Sequence, residues 1–218
     1  MQFPAVVKVG GGLLGHDGAL DRVLAEIAVI SRELPLLVVP GGGPFADAVR
    51  EADRRMALTE SASHWMAVLA MDQYAHLIAS RLETGTLVSQ ADEIRSALDK
   101  QLVPVLAPYQ WLRDADPLPH SWDVTSDSIA AWVAEQVGAA CLVLVKPSGA
   151  SGAALVDRHF DSVVPGHVRS AIIPADRIAE LRTALRARRS ETPSFQYDAG
   201  GSTPNLQLPT TNRSTYPD

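Results

Sequence analysis

The sequence predicts an α/β fold with a mostly parallel central sheet that helices cover on both faces. Segments with strand and helix patterns alternate along the chain, and the strand segments are continuous apolar runs. Continuous apolar strands are typical of parallel sheets that are buried on both faces. The 218 residues fit one domain of this kind.

Each predicted strand is a short apolar run that a turn follows. The first two runs lead into triple glycines, and the third ends before Pro108. The fourth combines β-branched residues with leucine, which pack well in a pleated sheet. The predicted strands are residues 3–9, 36–39, 102–106, 140–145 and 171–173.

Five helices are predicted around these strands. The first carries an apolar stripe at helical spacing, and Asp17 can be its N-cap or lie near the cap. Pro44 suits the first turn of the second helix, where a missing N–H costs nothing. Thr59 can cap the long third helix, which is expected to bury Trp65 and Leu69. The predicted helices are residues 17–33, 44–55, 59–82, 126–137 and 176–188.

Two segments are predicted to lie outside regular structure. Residues 109–120 contain Pro117 and Pro119 and are expected to form an irregular loop. Residues 189–218 are rich in Ser, Thr, Pro, Asn and Gly, so they cannot form a core and are expected to be a polar tail. The single domain is therefore expected at residues 1–188.

The composition excludes several classes of protein. Hydrophobic residues make up 46% and charged residues 20% of the chain, which excludes full disorder. A net charge of −6 gives no electrostatic basis for binding nucleic acid. Neither a signal peptide nor an apolar run of roughly 20 residues is visible, so no membrane contact is expected. Because Cys141 is the single cysteine, no internal disulfide can form, and a cytoplasmic protein is expected.

Triple glycines follow the first two predicted strands. They are Gly10, Gly11 and Gly12 and, after the second strand, Gly41, Gly42 and Gly43. In a parallel sheet both turns lie at the carboxyl edge, where ligands of such folds bind. Glycines let a ligand approach the backbone, and free N–H groups there favour phosphate. The pair of loops favours an anion site over two simple tight turns.

The motifs of other enzyme classes are absent. The first loop has the glycine spacing of the dinucleotide-binding fingerprint, but Pro40 stands where that motif needs an acidic residue. No Gly-Lys-Ser or Gly-Lys-Thr follows either loop, so neither is a Walker loop. There is no Gly-x-Ser-x-Gly motif of a hydrolase, and the six histidines lack metal-binding spacing, so no metal site is predicted.

Charged residues complete the predicted anion site. Lys8 lies near the end of an otherwise apolar strand, where a buried ammonium group needs a partner. At the carboxyl edge it can neutralise a transferring phosphoryl group. Asp127 lies in the first turn of the fourth predicted helix, which Thr125 or Ser126 can cap. It can hold cationic groups in position, while Asp123 contacts a polar ligand.

The chain resembles the amino acid kinase family, which includes acetylglutamate, uridylate and isopentenyl phosphate kinases. The resemblance covers about residues 3–187 in the family's order. It rests on Lys8-Val-Gly-Gly-Gly12, Val39-Pro-Gly-Gly-Gly-Pro-Phe-Ala-Asp47, Asp123-Val-Thr-Ser-Asp-Ser-Ile-Ala130, and the strand 142–146 with Pro147-Ser-Gly149 after it. It implies a three-layer α/β/α sandwich, with an acceptor-binding half at about residues 1–115 and a nucleotide-binding half at about 116–188.

The resemblance also implies an activity and roles for the matched residues. Family members transfer the γ-phosphoryl group of Mg-ATP to a carboxylate, carbamate or phosphate. The catalytic residues would be Lys8, Asp127 and, as a hypothesis for a chain without the family's later lysine, Lys146. The nucleotide phosphates would contact Gly10, Gly11, Gly12, Ser148 and Gly149. The acceptor would contact Gly41, Gly42, Gly43, Asp123 and Thr125.

Within the family, the short chain and residues 121–127 look most like a small branch that acts on aminomethyl-furanmethyl phosphate. That branch makes a diphosphate in methanofuran-type cofactor biosynthesis. Asp123 would pair with the ammonium group of this acceptor, and the second glycine loop would hold its phosphate. The histidine that isopentenyl phosphate kinases carry after that loop is absent here. A homo-oligomer is expected, with the long third helix as a candidate interface. The alternative is a non-catalytic relative that binds a nucleotide or another anion.

Overall fold

The computed structural model describes residues 5–149 and 155–187, and six parallel strands form the central sheet of this part of the chain. The strands are β1 (Ala5–Val9), β2 (Leu36–Pro40), β3 (Gly85–Val88), β4 (Val103–Leu106), β5 (Cys141–Lys146) and β6 (Arg169–Pro174). Their order across the sheet is β3-β4-β2-β1-β5-β6, and each neighbouring pair is parallel. The predicted parallel sheet is confirmed.

Helices connect the strands. The α-helices of the described residues are α1 (Ala19–Ser31), α2 (Gly43–Met56), α3 (Glu60–Arg81), α4 (Ala91–Asp99), α5 (Tyr109–Ala115), α6 (Ser126–Gln136), α7 (Phe160–Val163) and α8 (Leu181–Arg186). Two 3-10 segments, Gly11–Gly15 and Ala175–Glu180, complete them. None of these helices is both long enough and apolar enough to span a membrane.

Two apolar cores lie on opposite faces of the sheet, because successive residues of a strand point to opposite sides. Val7 and Val9 of β1 belong to the core that α1 and α8 cover. Val6 belongs to the other core, which α4 and α6 cover. The long helix α3 contributes side chains to both cores. Sheet and helices therefore form the expected three-layer α/β/α sandwich.

Some short elements differ from the sequence prediction. The prediction missed β3, α4 and α7. Strand β3 lies at the edge of the sheet, and three of its four residues are only partly buried. An edge strand of this kind does not produce a continuous apolar run. The division of residues 1–188 into an acceptor half and a nucleotide half stays a prediction, since one sheet runs through both.

The segment predicted as an irregular loop at residues 109–120 contains helix α5. Pro108 precedes this helix, and Pro117 and Pro119 follow its end at Ala115, so none of them interrupts it. The backbone N–H of Tyr109 donates to the carboxylate of Asp72 at 3.0 Å. Prolines just outside a helix mark its limits rather than its absence.

Three details of the helices also differ from the prediction. The N-cap of α1 is Gly18, with φ of 65°, so Asp17 lies next to the cap, and no side chain of the described residues caps this helix. Trp65 is buried as expected, but Leu69 is 41% exposed on the outer side of α3. The last predicted helix consists of a 3-10 segment, Ala175–Glu180, with a non-helical backbone at Arg177, and of α8, which begins at Leu181. Residues 1–4, residue 188 and the predicted tail at 189–218 lie outside the described residues.

Candidate active site

Lys8 and Lys146 lie at the carboxyl ends of neighbouring central strands. Lys8 is in register with Leu144 of β5, so Lys146 is the next residue of β5 on the same face. Lys8 Nζ lies 2.8 Å from Oδ1 of Asp127, and Lys146 Nζ donates to Oδ2 at 2.6 Å. The side chains of Lys8, Lys146 and Asp127 are 5%, 14% and 4% exposed. Two ammonium groups therefore share one buried carboxylate.

The electrostatics of this cluster favour an anionic ligand. Burial alone would raise the pKa of Asp127, but the ammonium groups of Lys8 and Lys146 hold that pKa below its ordinary value. Burial and the positive charge of Lys8 lower the pKa of Lys146, although Asp127 opposes this shift. One carboxylate cannot neutralise two ammonium groups. A phosphoryl group at the cluster would supply the missing negative charge.

The amino end of α6, which carries Asp127, is held by the carboxylate of Asp157. Oδ2 accepts hydrogen bonds from the N–H groups of Thr125 and Ser128 at 2.9 and 3.0 Å, and from the Thr125 hydroxyl at 2.7 Å. Oδ1 accepts from the Ser128 hydroxyl and from the N–H of His159. A carboxylate at this end of a helix satisfies free N–H groups and complements the helix dipole. Asp157 thereby positions the helix that presents Asp127.

The two glycine loops pack against each other rather than standing apart. A Cβ atom on Gly41 would lie 2.6 Å from the backbone nitrogen of Gly11. Gly43 has φ of +55°, a conformation that favours glycine. A Cβ atom on Gly10 would lie 2.6 Å from the carbonyl oxygen of Val145 in β5. The glycines thus allow the ends of β1, β2 and β5 to meet at one place.

A cavity of about 460 Å³ opens over these loops and the charged cluster. Its lining joins Lys8, Asp127 and Lys146 to the amino ends of α2 and α6 and to one side of α3. This volume is within the usual range for sites that bind small molecules. The cavity therefore combines a cationic end, glycine-rich backbone and room for a small ligand.

Trp122 and residues of α2 form another wall of the cavity. The indole N–H of Trp122 donates to Oδ2 of Asp53 at 2.7 Å. The guanidinium of Arg50 lies 4.9 Å from the centre of the same ring and is paired with Asp47 at 2.8 Å. All four residues line the cavity. A cation over the face of an indole is a favourable contact that helps to fix both side chains.

The structure brings most of the predicted site residues to this cavity. Those that line it are Lys8, Gly11, Gly12, Gly42, Gly43, Thr125, Asp127 and Lys146. Gly10, Gly41, Asp123, Ser148 and Gly149 are not part of the lining. The hydroxyl of Thr125 is already used by Asp157.

The structure does not bring Asp123 into the lining of the cavity, and its predicted contact with the acceptor stays a prediction. The side chain of Asp123 is 60% exposed and is paired with Arg158 at 3.4 Å. The hydroxyl of Ser148 donates to Asp176 at 2.8 Å, so it is also committed within the protein. Both predicted lysines and four of the predicted glycines thus line the cavity, whereas these two polar residues do not.

Four further cavity residues were not among the predicted site residues: Arg50, Asp53, His64 and Trp122. Arg50 and Asp53 lie three residues apart on α2, the helix that follows the second glycine loop. This spacing places both on one face of the helix and could have indicated them. His64 had no local signal, because only the packing of α3 brings it to the cavity. Within residues 5–149 and 155–187, no three His, Cys, Asp or Glu side chains are grouped so that they could hold a metal ion.

The chain is similar to known proteins in sequence and in fold. A curated relative, the (5-(aminomethyl)furan-3-yl)methyl phosphate kinase of Methanocaldococcus jannaschii, is 29% identical over 130 residues. The alignment covers 59% of this chain and 58% of that relative, so less than two thirds of the relative's length is matched.

Solved structures show the same fold. The UMP kinase from Ureaplasma parvum has a TM-score of 0.65 with 14% identity, over 83% of this chain and 95% of that chain. The uridylate kinase from Archaeoglobus fulgidus has a TM-score of 0.61 with 14% identity, over 82% and 95% of the two chains. At this level of identity the likeness concerns the fold alone.

The sequence model of the amino acid kinase family matches residues 4–148, which are about two thirds of the chain and include all three motifs of the site. The chain belongs to the amino acid kinase family.

Proposed function

We propose that this protein is an ATP-dependent kinase that transfers the γ-phosphoryl group of ATP to the phosphate of a small acceptor, giving a diphosphate. The observation that carries the proposal is the cluster of Lys8, Asp127 and Lys146 at one end of the cavity. Two ammonium groups on a shared carboxylate suit a phosphoryl transfer, in which the negative charge of the phosphates must be neutralised and the reacting groups must be aligned.

The chemistry of the transfer requires little else from the protein. An oxygen of the acceptor phosphate forms a bond to the γ-phosphorus, and the bond between that phosphorus and the bridging oxygen of ADP breaks. An ionised phosphate oxygen has no proton to lose, so no general base is needed. Lys8 and Lys146 would reduce the repulsion between the two phosphate groups. Asp127 would keep the two ammonium groups in fixed positions between which the phosphoryl group moves.

Mg-ATP fits the donor set of the cavity. Bound ATP supplies the phosphoryl group, and the glycine-rich backbone at Gly11 and Gly12 lies beside the cationic cluster that would receive its phosphates. Both carboxylate oxygens of Asp127 face ammonium groups, so this residue is committed to the lysines. Phosphate oxygens of ATP and water would therefore hold the magnesium ion, which usually keeps several of its waters.

The acceptor that we propose is (5-(aminomethyl)furan-3-yl)methyl phosphate. The relative from Methanocaldococcus jannaschii supports this choice, since its name states that substrate. The charges of the cavity are compatible with it. Lys8 and Arg50 could attract the acceptor phosphate, and the carboxylates of Asp53 and Glu60 have the charge that suits an ammonium group.

The test is a direct assay of the purified protein with Mg-ATP and this acceptor, with separation of the diphosphate product and ADP. The expected result is stoichiometric formation of both products, and a loss of at least about 100-fold in turnover when Lys8 is replaced by Met. A protein that binds Mg-ATP but makes no product with this or other phosphate monoesters would be the non-catalytic relative instead. Circular dichroism of Lys8→Met confirms that the variant is folded.

We also propose that the chain forms a homo-oligomer through α3. Met66 and Leu69 are 39% and 41% exposed and lie three residues apart on the outer side of this helix. Residues at this spacing share one face of a helix, so the two side chains form a continuous apolar surface. A second copy of the chain is the partner that we propose for it.

A further inference from the structure

His64 is a buried histidine of α3 that lines the cavity. It is 8% exposed. The described chain has five buried residues that are polar or charged, and four of them have partners within it: Lys8, Ser63, Asp127 and Ser128. His64 makes ring contacts, but neither ring nitrogen has a hydrogen-bond partner in residues 5–149 and 155–187. The ring nitrogens are not among the fully buried, unpaired polar atoms of the described residues, which are Trp65 Nε1 and Asp127 Oδ1. They keep some exposed surface while the residue lines the cavity, so a ligand in the cavity can supply the missing partner.

The ring of His64 is fixed by its neighbours. It stacks on His120, with ring centres 4.3 Å apart and planes 15° apart. The ring of Trp65 meets it edge-on at 4.8 Å. His120 is itself anchored by a contact of 2.8 Å between Nε2 and Asp116. The imidazole is therefore held in one orientation, and a ligand would not have to displace a protein partner to contact it.

Burial, with a smaller effect from His120, lowers the pKa of His64 to about 4. The imidazole is therefore neutral at pH 7, with one nitrogen that donates a hydrogen bond and one that accepts. A neutral donor can orient an oxygen of a phosphate without neutralising its charge. That property suits a group which must keep its negative charge in order to attack phosphorus.

We propose that His64 recognises the acceptor, and that its imidazole N–H donates a hydrogen bond to an oxygen of the acceptor phosphate. This inference rests on the proposed kinase function. The position of α3 assigns the contact to the acceptor rather than to ATP. This helix packs on β2, β3 and β4, whereas Lys146 belongs to β5 on the other side of β1. His64 also shares the cavity lining with Gly42 and Gly43 of the second glycine loop.

The first test is nitrogen-15 NMR of the histidine rings in the full chain. The signals of His64 are identified by their absence in His64→Phe, which keeps an aromatic ring in the stack. Addition of (5-(aminomethyl)furan-3-yl)methyl phosphate is expected to shift the signal of the donating nitrogen, and addition of Mg-ADP alone is not. The inference is overturned if this phosphate leaves the His64 signals in place, whether or not it moves other signals.

Kinetics of matched variants provide the second test. His64→Phe is expected to raise KM for the acceptor about 10-fold, the usual effect of one lost hydrogen bond, and to leave KM for ATP unchanged. His64→Asn, which retains an N–H donor, should recover part of this loss. His120→Phe is the control, because it keeps the ring stack but does not line the cavity. An equal rise of both KM values in His64→Phe contradicts the inference.

The two tests separate this inference from the proposed function. If the wild-type protein makes the diphosphate and His64→Phe has an unchanged KM for the acceptor, His64 has no role in recognition and the kinase function stands. If the wild-type protein makes no diphosphate, the proposed function fails, and the NMR experiment alone decides whether His64 contacts a phosphate monoester.

Discussion

Gly11 and Gly43 lie so close that a Cβ atom on Gly11 would stand 2.1 Å from the backbone nitrogen of Gly43. The neighbouring atoms are backbone, which cannot rotate aside as the end of a side chain can. The loops after β1 and β2 are therefore locked together. Since Gly11 and Gly43 line the cavity, this packing also sets the shape of the proposed phosphate site.

Replacement of Gly11 by alanine should destabilise the protein, because the new methyl group would force the two loops apart. Overpacking of this kind costs about 1–3 kcal/mol, which corresponds to a fall in Tm of about 2–12 °C in a chain of this size. Thermal unfolding followed by circular dichroism measures the change. Gly15→Ala is the matched control, since a Cβ atom at Gly15 meets nothing within 4 Å. Equal melting temperatures for the two variants would show that the loops can separate freely.

Replacement of Lys146 by methionine should reduce kcat by about 100-fold or more while KM for the acceptor changes little. The substitution removes one of the two ammonium groups on Asp127 but keeps the length of the side chain. Lys100→Met is the control, because Lys100 is exposed at the end of α4. Turnover of the two variants is compared at saturating substrate. An active Lys146→Met enzyme would mean that Lys8 alone supplies the charge that the transfer needs.

Replacement of Asp157 by alanine should loosen the amino end of α6 and thereby displace Asp127. The loss of this remote cap should cost about 1–2 kcal/mol of stability and lower kcat. Asp157→Asn keeps a side-chain oxygen that accepts hydrogen bonds, so it should recover part of both losses. Urea unfolding and turnover are measured on the same preparations. Asp161→Ala, at an exposed position of α7, should behave like the wild type. A loss of stability with full kcat in Asp157→Ala would limit Asp157 to a structural role.

Two groups give the unfolding free energy opposite dependences on pH. Burial raises the pKa of Asp72 from 3.8 to about 6, although the hydrogen bond from Tyr109 opposes this shift. Ionisation of Asp72 therefore destabilises the folded protein as pH rises from about 4 to 6. Burial lowers the pKa of His64 from 6.5 to about 4. As pH falls through this range, the unfolded chain binds a proton that the folded protein does not, so the folded protein loses stability.

Single variants should separate these two dependences. Asp72→Asn keeps an acceptor for the N–H of Tyr109 but cannot ionise, so its stability relative to the wild type should rise between pH 4 and 6 and then stay constant. The stability of His64→Phe relative to the wild type should rise as pH falls from 6.5 to about 4. Urea unfolding across this pH range measures both. A constant difference from the wild type would show that the group in question titrates normally.

Substitution of Leu69 by arginine should dissociate the proposed oligomer, because a charge would enter the apolar surface that Leu69 forms with Met66. Sedimentation velocity of the wild type and Leu69→Arg measures the mass in solution. Arg95→Ala, on the separate helix α4, should leave the mass unchanged. A wild-type protein that sediments as a monomer at all concentrations would contradict the proposal.

The central strands and the cationic cluster could be predicted from sequence because each leaves a local pattern. The buried strands are continuous apolar runs, and Lys8, the glycines and Asp127 lie in short motifs. Strand β3 could not be predicted in this way, since an edge strand with partly buried residues has no such run. Helix α5 was hidden by the prolines on either side of it.

The remaining parts of the site depend on contacts between distant residues. Asp157 caps α6 from a position 32 residues after Thr125, so no capping pattern near α6 indicates it. His64 reaches the cavity because of how α3 packs on the sheet, and its spacing from other residues carries no signal. Asp123 was placed in the site because it lies in a motif, but its side chain turns to Arg158 instead.

The position of β1 between β2 and β5 has a consequence for the synthesis of the protein. The ribosome adds Lys8 early in synthesis, whereas it adds Asp127 and Lys146 more than a hundred residues later. A nascent chain that has already paired β1 with β2 therefore holds a lysine without its counter-ion. The counter-ion arrives with α6, which packs on β1, and the pairing of β5 with β1 then adds Lys146 and closes the middle of the sheet. Long-range pairing of this kind is slow, so ligand binding should emerge with the last stage of folding rather than before it.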